Sequence, residues 1–122
     1  MIDFDEFAAL LDNIANSLPP EIYVRLNGGV NLQQGLKVHP ESVANDLFTL
    51  GDYNYNELGR YINIYYGSFM RTYGGLSKDE LKAQVESTLK HEFMHHLESL
   101  AGEDDLEIED AVFIEKYRRG LL

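Results

Sequence analysis

"TLKHEFMHHLESLAGEDD", residues 88–105, places three of the chain's four histidines, His91, His95 and His96, within six positions and follows them with a run of acids. Around this stretch Leu81, Val85, Leu89, Phe93 and Leu97 recur every fourth residue, and Leu100 extends the stripe, which is the apolar face of an amphipathic helix. Ser77 followed by Glu80 forms a capping box for its start, and Gly102 supplies its stop, so the pattern predicts a long helix from about 77 to 102. At about 100° per residue, with His91 at zero, the stripe spans roughly 80° to 240°, His95 falls near 40° and Glu98 near −20°. His91 and His95 therefore share a face opposite the stripe, one turn apart, where two imidazoles can converge on one ion. Glu92 lies roughly 100° around from them.

This is the physical content of His-Glu-x-x-His: two imidazoles hold zinc, and the glutamate is the general base for a zinc-bound water. In a chain with 4 histidines the pattern arises by chance about 1% of the time, so the expectation is a metal site, set against ordinary polar residues on a solvated helix face. His96 falls near 140°, towards the apolar stripe, and is expected to be a hydrogen-bonded core histidine. His39, before a proline in "KVHPE", reads as a loop residue.

A catalytic zinc needs a third protein ligand and an open position. Glu98 is on the ligand face, and helical side chains lean towards the N-terminus, so its carboxylate points back towards the pair. Asp105 follows the Gly102 stop, where a turning chain can bring it back over the ion. Asp104 and Glu103 are weaker candidates of the same kind. The bland alternative for each is an acid in water, since "GEDDLEIED" is mostly acidic.

Composition narrows the function classes. The chain has 122 residues, 44% of them hydrophobic, which suits a single domain spanning 1–122. With no cysteine, a metal must be held by nitrogen and oxygen. A net charge of −11 opposes binding to nucleic acid or anionic membranes and suits a cation or a basic peptide. The start, "MIDFDEFAALLDN", has aspartates where a signal peptide has basic residues, and no apolar run reaches membrane-spanning length; the expectation is a cytoplasmic protein.

Ahead of the long helix, "DFDEFAALLDNIANSL" (3–18) has helical apolar spacing and is stopped by Pro19 and Pro20, after which "PEIYVRL" allows a short helical turn. "NGG" (27–29) precedes "VNLQQGLKVHP", an extended segment. "NDLFTLGDYNYNELGRYINIYYGSFM" (45–70) contains two apolar-aromatic runs around a polar connection, an antiparallel pair in which Ile62, Ile64 and Tyr66 share a face. "IEDAVFIEKYRR" (108–119) reads as a closing helix.

Taken together, "HEFMHH" on a late helix, the preceding strand "YINIYYGSF", the following Gly-x-x-Asp and the length resemble the minimal zincin-like metallopeptidase family of bacteria, over roughly residues 45–110. The family pattern, His-Glu-x-x-His-x-x-Gly-x-x-Asp, would make His91 and His95 zinc ligands, Glu92 the general base and Asp105 the third ligand. This chain has four extra residues between His95 and Gly102, about one helical turn or 6 Å, which keeps Glu98 open as the third ligand. The resemblance implies an α+β zincin-like fold, with a small sheet on the metal helix, one Zn2+ per chain, and a peptide or protein substrate. It further suggests that an edge strand at 60–66 pairs with the substrate and that Tyr65 or Tyr66 hydrogen-bonds the oxyanion. Manganese, nickel or cobalt could occupy the same ligands. Two other classes stand beside the peptidase: an RNA-processing metal hydrolase, which the acidity disfavours, and a non-catalytic or decayed metal-binding domain acting through protein interaction.

Overall fold

The computed structural model describes residues 2–103 together with residues 112, 115, 116 and 120. Helix α1 (Phe4–Ser17) is capped by Asp3, whose carboxylate accepts from the Glu6 amide at 2.8 Å, and a 3-10 turn follows at Pro20–Tyr23. Strands β1 (Val30–Gln33), β2 (Gly51–Asn56) and β3 (Gly59–Tyr65) form one mixed sheet in the order β1-β3-β2. Helices α2 (Tyr66–Tyr73) and α3 (Lys78–Ala101) complete the small α+β architecture. The closing helix expected at 108–119 lies largely outside the described residues.

The antiparallel pair is β2 with β3, joined by a two-residue turn at Glu57 and Leu58, and Gly59 has φ 105°, a left-handed conformation that glycine adopts without steric cost. A Cβ there would also collide with the Asn27 side chain, whose Oδ1 accepts from the Arg60 amide at 2.9 Å. β1 pairs with the other edge of β3 in parallel, Val30 opposite Ile62 and Leu32 opposite Ile64. This overturns the expectation that 60–66 is an edge strand. Its central residues carry neighbours on both sides, and the edge towards α3 is β2.

One face of the sheet carries Ile62 and Ile64, both fully buried against Phe7, Leu10 and Ile14 of α1 and the α3 stripe from Leu81 to Leu100. The third buried β3 residue on that face is Arg60, not Tyr66. Tyr66 begins α2; its ring packs edge-on against Phe4 and Phe7, and its hydroxyl donates to the Ile2 carbonyl at 2.8 Å. β2 approaches α3 closely at Gly51, where a Cβ would lie 3.0 Å from Ile64 and 3.1 Å from Thr88. Among the described residues no helix is long and apolar enough to cross a membrane.

The capping box is present in full: Ser77 Oγ accepts from the Glu80 amide at 3.2 Å, and Glu80 Oε1 accepts from the Ser77 amide at 3.4 Å. Replacing Ser77 by Ala is expected to destabilise the protein by about 1 kcal/mol, read as a lower urea midpoint at unchanged slope. An unchanged midpoint would mean that α3 is held by its packed face alone.

Candidate metal centre

Both ligand candidates sit on the exposed side of α3, one turn apart, and their rings converge: His91 Nε2 and His95 Nε2 are 3.1 Å apart. Two nitrogens bound to one tetrahedral zinc at about 2.0–2.1 Å stand about 3.3–3.4 Å apart. The observed pair needs only a small adjustment to reach that spacing. Without an ion the same spacing suits an N–H···N hydrogen bond, so a metal would take the place of one proton.

Glu92 points the other way around the helix and is 6% exposed. The helical angle explains this, since a residue about 100° from His91 already falls at the margin of the apolar stripe. It nevertheless lines a shallow groove of about 680 Å³ between α3 and β2, together with His91, His95, Glu98 and Ser99 from the helix and Gly51, Asp52 and Tyr53 from the strand. Burial pushes its pKa up to about 7, and the nearby negative charge of Asp52 adds to the rise. Asp52 differs: burial works to raise it, but hydrogen bonds from Lys37 (2.6 Å), Tyr65 (2.8 Å) and Asn54 (2.8 Å) outweigh this and hold it below its ordinary value.

The raised Glu92 pKa carries a sign. The folded, metal-free chain keeps a proton on Glu92 from its ordinary 4.5 up to about 7, where the unfolded chain has lost it. Stability should therefore fall as pH rises through that window, by roughly 2–3 kcal/mol in total. Urea unfolding at the two ends of the window, in chelator, is expected to show this slope in the parent and not in Glu92→Gln. Parallel pH profiles would place Glu92 in solvent.

Among the described residues no three His, Asp or Glu side chains form a group that could hold a metal ion. Glu98 is exposed beside the pair, whereas Asp104 and Asp105 lie outside the described residues. The Glu103 carboxylate is committed elsewhere, as ion-pair partner of the buried Arg60. Arg60 also donates to Ser99 Oγ and, at 3.1 Å, to the Tyr53 hydroxyl, which ties β3 and β2 to the last turn of α3.

His96 is fully buried, as its angle suggests. Its Nε2 donates to the Val24 carbonyl at 2.8 Å, leaving Nδ1 to accept from Tyr53 Oη at 2.9 Å. Burial lowers its pKa, the Val24 hydrogen bond opposes this, and the Arg60 charge reinforces the lowering. His39 sits in the connection between β1 and β2, where its Nδ1 accepts from the Glu41 amide at 3.1 Å. Neither tyrosine proposed for an oxyanion lines the groove: Tyr66 is against α1, and Tyr65 donates to Asp52 from the opposite face of the sheet. The groove tyrosine is Tyr53, which sequence reasoning passed over. The signal was available in the two-residue "EL" turn, whose register sets Tyr53 opposite Ile62 and hence on the helix side.

No family model matches the chain, and no curated protein matches it. Among solved structures it is similar to a conserved hypothetical protein from T. thermophilus, with 32% sequence identity and a TM-score of 0.71 over 84% of this chain and 100% of that one.

Proposed function

This chain belongs to the same family as the conserved hypothetical protein of T. thermophilus, and from that premise we propose that it is a zinc-dependent peptidase with a zincin-like arrangement of sheet and metal helix. The description of that relative names no activity, so the reading rests on the site. The observation that carries it is the convergence of His91 Nε2 and His95 Nε2 at 3.1 Å on a groove that the buried Glu92 also lines.

In this reading His91 and His95 hold the ion, with Glu98 or Asp105 as third ligand. A bound zinc supplies Lewis acidity, polarising a carbonyl and bringing the pKa of water towards neutrality. Glu92 would take the proton of the attacking water and return it to the leaving amine, and its buried position at the groove holds it in place for both transfers. The substrate's main chain is held by the outer edge of β2. In an antiparallel ladder alternate residues turn their backbone groups away from the partner strand, and here those residues are Gly51, Tyr53 and Tyr55, because Leu50 pairs inward with Tyr65. Among the described residues no backbone group occupies that edge.

A second reading, a metal-binding domain without turnover, draws on the same His91–His95 pair, which would hold an ion whether or not Glu92 acts as a base. Elemental analysis of untagged protein, followed by digestion of an unfolded protein substrate, separates the two. About one zinc per chain, with cleavage that stops in chelator and returns with zinc, supports the peptidase. Zinc without cleavage supports the second reading, and no zinc after reconstitution removes both.

A further inference from the structure

The face of the sheet turned away from the helices has an unusual composition, and it meets the candidate metal groove at Asp52. Strand register puts Asn31 opposite Asn63, Gln33 opposite Tyr65, and Asn54 opposite Tyr61 on that face. Asparagine is disfavoured in strands, and a solvated sheet face is ordinarily built from threonine and charged residues, so this choice works against the local preference of the fold. Nor is the face apolar, as a covered one is. It is also close to electrically neutral: its strands carry one acid, Asp52, and Lys37 Nζ is paired with it at 2.6 Å.

The amides are already oriented. Gln33 Nε2 donates to Asn63 Oδ1 at 3.3 Å and Asn54 Nδ2 donates to Asp52 Oδ1 at 2.8 Å, leaving the second N–H of each donor group, and the carbonyl oxygens of Gln33 and Asn54, available outward. Asn31 and Gln33 are exposed, and Asn54, Asn63 and both tyrosines are half-buried. A lattice of groups that each donate and accept, beside the Tyr61 ring, suits a ligand with closely spaced hydroxyls and apolar C–H faces, while the Tyr65 ring already carries the Lys37 ammonium at 5.5 Å. Phosphate-bearing ligands find no unpaired cation on the strands of this face, and an extended peptide binds at a strand edge, where backbone groups are offered. We infer that this sheet face is a binding platform for a neutral oligosaccharide, read by Gln33, Asn54 and Asn63 and stacked on Tyr61.

The test is titration of the ¹⁵N-labelled full chain with neutral glucan, xylan and chitin hexasaccharides, with an uncharged Gly-Ser-Asn peptide as a parallel arm. Saturable shifts of the Gln33, Asn54 and Asn63 side-chain amides are expected with at least one saccharide at concentrations up to roughly 10 mM. Tyr61→Ala should weaken that binding about 3–10-fold. Asn63→Thr should abolish the shifts while raising Tm by about 2–5 °C, because threonine suits a strand better than asparagine does. The Thr variant keeps the test informative if Tyr61→Ala fails to fold. No saturable shift with any saccharide, equal shifts in the parent and Asn63→Thr, or saturation by the peptide alone would each overturn the inference.

Discussion

Glu92→Gln is expected to lower peptide turnover by a factor of about 10²–10⁴ while zinc binding stays at about one per chain. The substitution keeps the shape of a side chain that is 6% exposed, so the core around Phe93 and Leu89 has no cavity to absorb. What it removes is the groove carboxylate that burial favours in its protonated form, whereas Asp52 is held as a stable carboxylate by Lys37, Tyr65 and Asn54. Because a neutral amide no longer faces the charge of Asp52, the metal-free variant should also be more stable than the parent above pH 7. The comparison is turnover and zinc content of the two proteins at matched concentration, with Glu98→Gln as a second variant. Turnover unchanged in Glu92→Gln would remove the general-base role, and loss of zinc would make Glu92 a ligand instead.

Helix α3 was legible in the sequence because three independent signals agreed on it: the fourfold apolar spacing, the Ser77–Glu80 box and Gly102. Even the division of labour among neighbouring histidines follows from 100° steps, which put His96 into the core and leave His91 and His95 outside. The sheet was less legible. "VNLQ" and "YINIY" are joined through non-local parallel pairing across some thirty residues, and no local pattern announces which strand becomes central. Hence 60–66 reads as an edge, and Tyr66, which continues the alternation of Ile62 and Ile64 on paper, instead opens a helix where its ring meets Phe4 and Phe7. Arg60 and Asp52 escape a sequence reading for a related reason: each is defined by what it meets across strands, Arg60 by Tyr53, Ser99 and Glu103, Asp52 by Lys37 and Tyr65. In the proposed site the third ligand is Glu98, beside the pair, or Asp105, which lies outside the described residues.

The adjacent pair His95 and His96 should separate metal binding from folding. Structural zinc sites with four ligands bind with about 10–16 kcal/mol, or roughly 3 kcal/mol per ligand, so His95→Ala should weaken zinc by a factor on the order of 10²–10³. His95 is exposed and, among the described residues, its ring is paired with His91, so its loss should leave the urea midpoint of the metal-free protein nearly unchanged. His96→Ala should do the reverse. It opens a cavity in a fully buried position and strips both the Val24 carbonyl and the Tyr53 hydroxyl of a partner, at a cost of about 3–4 kcal/mol. Competition with a chromophoric chelator gives the zinc affinity, and urea unfolding in chelator gives the stability, on the same three proteins. If His95→Ala binds zinc like the parent, the ion is held elsewhere and the 3.1 Å contact is only a hydrogen bond between two surface rings. If instead His96→Ala loses zinc while remaining folded, the buried ring is coupled to the site through Tyr53, which lines the groove and accepts from Arg60.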